Sequence, residues 1–308
     1  MAFDLCVWDK CNNRCRMCTN PTAPWPAWDG SFDYDYDSLI TRLEKKREEI
    51  IKQDSIYLTG GEPTIHPQFR KIIKYLKINF PKQTIRLLTN GRSFSYEQYA
   101  KEVLELDSDL EIDMSLYGVS AEQHDAVTQA PGSFEQSCAG LKNLIKNKKG
   151  NQVIGLRFVL TRESYQNIKE FLDLVSQEFT GLDRLIMIFP EYEAQALENQ
   201  KNIMIKYSEV KEFLTESFGR MKEIAQILDL RLYHFPLCQL EKKFWPWTWK
   251  TWPEIEIDFP SVCDNCLAKE YCVGIHKAYL EVVGDKEFKK IDNLEIKKSN
   301  NPFRPIDF

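Results

Sequence analysis

Residues 11–18 read CNNRCRMC, and residues 57–64 read YLTGGEPT. Cys11, Cys15 and Cys18 stand at C-x3-C-x2-C spacing. Three thiolates packed this closely can hold three irons of a [4Fe–4S] cube and leave the fourth iron without a protein ligand. A Gly-Gly-Glu-Pro turn after an apolar strand permits close backbone approach and offers a carboxylate acceptor for a ligand's ammonium group. A structural zinc is the competing occupant of the trio, but zinc wants a fourth close ligand. The first histidine after the trio is His66, far along the chain.

Outward from these two stretches, short apolar runs alternate with amphipathic segments. FDLCVW (3–8), SIYL (55–58), TIRLL (84–88), LEIDMSL (110–116), VIGLRFVL (153–160) and RLIMIF (184–189) read as strands. Stripes such as Phe69, Ile72, Ile73 and Leu76, or Ile168, Phe171, Leu172 and Val175, read as the helices between them. This alternation predicts an α/β fold with a parallel sheet. A long helix at 208–229 completes six strand–helix units, too few for a closed eight-stranded barrel. The expected architecture is a partial (β/α)6 TIM-like barrel. Loops that follow the strands of such a barrel gather on one face. The cysteine loop follows the first strand and the Gly-Gly-Glu turn the second, so their adjacency is a prediction of the topology. Cys6, in a strand, and Cys138, on a helical stripe, read as small buried hydrophobes. The Pro-, Asp- and aromatic-rich stretch 21–37 reads as a long functional loop.

The chain of 308 residues carries 41 basic and 46 acidic side chains. A net charge of −5 gives no electrostatic footprint for nucleic acid. No apolar run approaches the roughly 18 residues that span a bilayer, and the N-terminus lacks the basic lead-in of a signal peptide. These features predict a cytoplasmic protein, where the nine cysteines serve as metal ligands before disulfides.

After residue 230 the pattern becomes loop-rich and cysteine-bearing, which predicts two domains, 1–230 and 231–308. Cys263, Cys266 and Cys272 form C-x2-C-x5-C, with Cys238 upstream. Four thiolates can ligate a second [4Fe–4S] cluster or a tetrahedral zinc. Between them Trp245, Trp247 and Trp249 alternate, which predicts three indoles on one side of an extended strand. They read either as a core over the second metal site or as an apolar wall for a peptide or aromatic substrate.

In this order and at this separation, the cysteine trio and the Gly-Gly-Glu turn resemble the radical S-adenosylmethionine (radical SAM) superfamily, over about residues 3–195. The resemblance implies that Cys11, Cys15 and Cys18 ligate a cluster whose free iron takes the amino and carboxylate groups of S-adenosylmethionine. Reductive cleavage then gives a 5′-deoxyadenosyl radical that abstracts hydrogen from a substrate. It implies that Met17 sits near the adenine and that Gly60, Gly61 and Glu62 meet the methionine amino group. Asn90 would face the same mouth. Ser115 would contact the ribose or remain an ordinary strand-end hydroxyl. Arg157 would be an inward cation for the methionine carboxylate or a structural ion-pairing residue. No catalytic acid or base is assignable; Tyr117, His124 and Asp113 are candidates by position alone. The C-terminal pattern resembles the SPASM and twitch auxiliary-cluster modules, the single four-cysteine set fitting the shorter twitch type. TNGR (89–92), the LYG…HD stretch (116–125) and PLC (236–238) resemble maturases of His-Xaa-Ser-type peptide systems, though no added winged-helix domain for a leader peptide is evident. The implied activity is modification of a ribosomally made peptide, with an electron donor such as flavodoxin or ferredoxin as partner. The alternatives are oxidation or rearrangement of a small molecule such as a sugar or cofactor precursor, and a non-catalytic iron–sulfur electron carrier.

Overall fold

The structure, a computed structural model, describes residues 2–20 and 33–307. Residues 21–32 of the expected functional loop lie outside the described residues. Eight strands form one sheet in chain order: β1 (Ala2–Trp8), β2 (Ser55–Gly60), β3 (Thr84–Thr89), β4 (Glu111–Leu116), β5 (Val153–Val159), β6 (Arg184–Ile188), β7 (Asp229–Tyr233) and β8 (Thr248–Trp249). Every neighbouring pair is parallel, which the intervening crossover segments make possible. β1 and β8 are the two ends of the sheet, so the barrel stays open.

The outer face is apolar because strand side chains alternate. Leu5, Ile56, Leu58, Ile85, Leu87, Ile112, Ile154, Leu156, Leu185 and Leu232 are buried on it. They form one core with the helical stripes Leu39 and Leu43 (Tyr36–Lys45), Ile72 and Leu76 (Phe69–Asn79), Leu141 and Leu144 (Ser133–Asn147), Phe171 and Val175 (Ile168–Glu178), and Val210 and Leu214 (Tyr207–Ile224).

The expected partial barrel is present with two strands beyond the expected six. The long helix stops at Ile224, before the expected 229, and the chain re-enters the sheet as β7 through Asp229 N–H to Asp183 O, 2.9 Å. β7 straddles residue 230 and β8 lies past it, so the sheet runs on into the cysteine-bearing segment. The tryptophan segment is not an extended strand. Lys242–Trp247 coils as a 3-10 helix, with Pro246, which has no N–H for a ladder, inside it. Trp245 and Trp247 are core residues; the Trp245 indole donates to Leu237 O at 3.0 Å, and Trp247 packs on Phe218 and Phe244.

A buried charge network closes the N-terminal end of the inner face. Arg184 Nη2 lies 3.0 Å from both Asp113 Oδ1 and Glu111 Oε2, and Arg86 Nε lies 3.1 Å from Glu111 Oε2. A Cβ on Gly155 would come within 1.9 Å of Asp113 Oδ1, so glycine makes room for the pair. Asp113 is thereby committed to structure. The opposite end, at the strands' C-termini, is where the candidate site assembles.

Candidate active site

The loop that follows β1 is pinned on two sides. On one, Gly61 N–H donates to Trp8 O (2.7 Å) and Glu62 N–H to Lys10 O (2.8 Å). These bonds need two bare α-carbons: a Cβ on Gly60 would sit 2.3 Å from Trp8 O, and one on Gly61 2.2 Å from Lys10 O. Gly60 also takes φ +124°, which L side chains rarely adopt. On the other side, Arg14 N–H donates to Thr128 O (2.8 Å) and Arg16 N–H to Val127 O (2.9 Å), at the end of helix Ala121–Thr128. Asn20 adds a third tie, its Nδ2 donating to Gly60 O at 2.6 Å. The predicted adjacency of trio and turn is therefore realised through direct backbone bonds.

The three thiols lie within electrostatic reach of one another. Burial pushes the Cys11 thiol up to about 11, with Glu62 and Cys18 adding to the rise. Burial raises Cys15 well above the ordinary thiol range, Cys18 and Cys11 contributing. Thiolates are the metal-binding form, so three adjacent thiols whose anions are disfavoured by desolvation and by one another gain most from a cationic occupant. A cube spreads its ligand sulfurs more widely than a single ion does. Among the described residues, no three His, Cys, Asp or Glu side chains close up to single-ion geometry.

Glu62 is buried and organises the turn. Its Oε1 accepts from Thr64 N–H (3.1 Å), Thr64 Oγ1 (2.6 Å) and Thr89 Oγ1 (2.7 Å); its Oε2 accepts from Asn90 N–H (2.7 Å). A carboxylate offers about four acceptor positions, and Oε2 has the spare capacity. Asn90, just past β3, donates from Nδ2 to Asn12 Oδ1 (2.7 Å) and lies 3.9 Å from Cys11 Sγ. Asn12, Asn13, Asn20, Thr64, Thr89 and Arg92 all buttress this corner and escaped the sequence reading. Only their closeness in the chain to the two motifs could have pointed to them.

Inside the barrel, Tyr117, Val127, Val159, Ile186 and Ile188 form a small apolar cluster of their own, against which Cys15 and Met17 pack. Ser115 and Arg157 are register partners on β4 and β5, and Arg157 pairs onward with Ile186. Among the described residues Arg157 makes no ion pair or hydrogen bond, while its charge is felt by Glu191 and His234. His124 is buried, and its Nδ1 accepts from Tyr117 N–H at 3.2 Å. Beyond Arg157 lies Glu191, whose Oε1 accepts from the Trp252 indole at 2.8 Å and lies 3.6 Å from His234 Nε2. Trp252 stacks on His234 with ring centroids 4.1 Å apart. Cys6 is half-buried on the inner face and Cys138 is half-buried against the core; neither is fully enclosed.

Cys238, Cys263, Cys266 and Cys272 line one pocket, with Pro236, Leu237, Phe259 and Ile275. Burial raises Cys263 to about 11 and Cys272 to about 12. Ile291 N–H approaches Cys266 Sγ at 3.4 Å, and Gln239 Nε2 approaches Cys238 Sγ at 3.7 Å. The short antiparallel pair of Ile257–Asp258 and Ile275–His276 frames the pocket.

Residues 5–175 match the radical SAM superfamily. The chain belongs to that superfamily. Membership implies a [4Fe–4S] cluster and S-adenosylmethionine, and the three thiols beside the Gly-Gly-Glu turn fit them. The chain is 25% identical to the pre-heme d1 synthase of Dinoroseobacter shibae over 201 residues, 63% of this chain and 45% of that one. It is 27% identical to the mycofactocin maturase MftC of Mycobacterium tuberculosis over 170 residues, 54% of this chain and 39% of that one. The chain thus spans less than half the length of these curated relatives. The crystal structure of Streptococcus suis SuiB bound to precursor peptide SuiA superposes with a TM-score of 0.53 at 13% identity, over 73% of this chain and 46% of that one. That likeness is one of fold. No described helix is long and apolar enough to cross a membrane.

Proposed function

We propose that this chain is a radical SAM enzyme that modifies a peptide, with Cys11, Cys15 and Cys18 as ligands of the S-adenosylmethionine-binding cluster. The observation that carries the reading is the backbone lock between the cysteine loop and the Gly-Gly-Glu turn, through Gly61 N–H to Trp8 O and Glu62 N–H to Lys10 O. It joins the cysteine loop and Glu62 as one rigid unit at the barrel mouth, which supports a reading in which reacting groups must be held in fixed geometry. When bound, the reduced cluster supplies the electron that splits S-adenosylmethionine to methionine and a 5′-deoxyadenosyl radical.

The protein's own residues do the positioning. Glu62 Oε2 takes the methionine ammonium, while Gly60 and Gly61 let the backbone come close. Arg157, which makes no ion pair or hydrogen bond among the described residues, faces the carboxylate. Met17 lies along the adenine with Ile186 and Ile188 behind it, and Ser115 meets the ribose. Asn90 closes the corner beside Cys11. The pocket of Cys238, Cys263, Cys266 and Cys272 holds a second [4Fe–4S] cluster, in a module built onto the barrel's end. Such a cluster would accept the electron that a substrate radical loses on oxidation, or would staple the module. Flavodoxin or ferredoxin is the fitting class of electron donor.

The peptide reading draws support from the fold shared with SuiB, solved with its precursor peptide, and from the match to a maturase. Turnover with S-adenosylmethionine and a reductant, with and without any short peptide encoded beside the gene, tests it. A peptide that changes mass and accelerates 5′-deoxyadenosine formation is expected; indifference to every such peptide counts against it. The polar interior made by Arg157, Glu191 and His234 favours a small polar substrate as the second reading, as does the match to pre-heme d1 synthase.

A further inference from the structure

Asn13 lies between the first two cysteines and is itself 6% exposed. Three of its polar groups are arranged unequally. The backbone N–H donates to Cys11 Sγ at 3.4 Å. The side-chain Oδ1 accepts from Arg92 Nη1 at 2.7 Å, which fixes the amide's orientation. The side-chain Nδ2 is buried and has no hydrogen-bond partner. The side chain lies close enough to Cys15 to favour its thiolate form, without closing a hydrogen bond to it. A buried donor left unpaired loses its hydration without compensation, so native structures rarely keep one without an acceptor to come.

We propose that Asn13 is a positioning residue for the S-adenosylmethionine-binding cluster, its Nδ2–H donating to a sulfur of the Cys15 corner while Arg92 holds the amide in place. The inference rests on Cys11, Cys15 and Cys18 being the cluster ligands. Asn13 then bridges two of those ligands, by backbone to Cys11 and by side chain to Cys15. Hydrogen bonds to cluster sulfurs are one of the protein's levers on reduction potential. They stabilise the more negative, reduced state, since a donor interacts more strongly with an acceptor of higher charge. Asn13 therefore raises the potential and eases the first electron's entry.

Redox titration of the reconstituted full chain, followed by electron paramagnetic resonance, tests this without any substrate. Asn13→Leu keeps the side chain's size and removes the donor; Asn13→Asp keeps Arg92's partner and turns a charged oxygen toward the sulfur. Both are expected to hold wild-type iron and to lower the reduction equilibrium at least tenfold, equivalent to 59 mV for one electron, with aspartate the larger. A reduction equilibrium within twofold of wild type in both variants overturns the proposal. Loss of iron from the Cys11, Cys15, Cys18 triple-alanine variant checks the parent ligand assignment separately. Should both Asn13 variants fail to load, wild-type protein labelled with 15N at the asparagine side-chain amides keeps the proposal open to refutation. Pulsed resonance should then show an amide nitrogen coupled to the reduced centre that persists in Asn90→Ala. Disappearance of that coupling in Asn90→Ala assigns the donor to Asn90 and refutes the proposal.

Discussion

Gly61→Ala probes the lock between turn and cysteine loop. The added methyl would stand 2.2 Å from Lys10 O and 2.6 Å from Lys10 C. Ordinary carbon–oxygen contacts begin near about 3.3 Å, so the two segments must part by roughly 1 Å. Both obstructing atoms are backbone, so no side-chain rotation relieves the clash. Separation strains the Gly61 N–H to Trp8 O and Glu62 N–H to Lys10 O bonds, now 2.7 and 2.8 Å. Each is worth about 0.5–1.5 kcal/mol net, and overpacking adds about 1–3 kcal/mol. Allowing for overlap between the two effects, the variant should lose roughly 2–4 kcal/mol. Where the free chain relieves the clash by opening the lock, the cost appears in S-adenosylmethionine affinity instead, up to a weakening of about 30- to 900-fold. Anaerobic urea unfolding of the apo chain and calorimetric titration of the reconstituted protein measure the two quantities. Gly219→Ala is the control: it sits in helix Tyr207–Ile224 with nothing within 4 Å of its added Cβ. It should be neutral or stabilising by up to about 1 kcal/mol. A Gly61→Ala protein that matches wild type in both assays would refute the reasoning.

Other outcomes follow from the same geometry. Asp113→Leu leaves Arg184, 7% exposed at its side chain, short of a partner and should destabilise by about 3 kcal/mol; a shift under about 1 kcal/mol in urea unfolding contradicts the buried-pair account. Burial holds His124 and His234 down to about 4 in the folded chain. As pH falls through the ordinary histidine value the unfolded chain protonates first, so stability is full above about 6.5 and is lost toward pH 4. Each histidine should contribute a loss on the order of 3 kcal/mol over that window; stability that stays flat between pH 7 and 5 would exclude the effect. Cys272→Ala should cut iron from about eight to about four per chain while 5′-deoxyadenosine formation without substrate survives. Unchanged iron, with zinc present in wild type, would assign the second pocket to zinc.

How much of this was legible in the chain depends on how local each feature is. β1 to β6 are runs of five or more residues with apolar outer positions, and periodicity alone reveals them. β8 is two residues, Thr248–Trp249, in a proline- and tryptophan-rich stretch, where no periodicity can develop. β7, DLRLY, alternates outward Leu230 and Leu232 with Asp229 and Arg231, so its polar half resembles a loop. The tryptophans mimic an alternating strand because spacing by two is shared by strands and some tight coils. Pro246 was the signal against it. The cysteine trio and the Gly-Gly-Glu turn were legible because metal and backbone-approach chemistry restrict residue type and spacing. The burial of Glu62 was not, since Thr89 and Asn90 reach it only once β2 and β3 pair. Arg157 was ambiguous for the same reason: whether an inward arginine finds a carboxylate depends on which strands face it across the barrel.

The most direct test is reductive cleavage of S-adenosylmethionine by anaerobically reconstituted protein, followed as 5′-deoxyadenosine by chromatography. Wild type should form 5′-deoxyadenosine and methionine in equal amounts, and the Cys11, Cys15, Cys18 triple-alanine variant none above background. Equal cleavage by the triple variant, or none by wild type carrying a full complement of iron at the trio, would contradict the account.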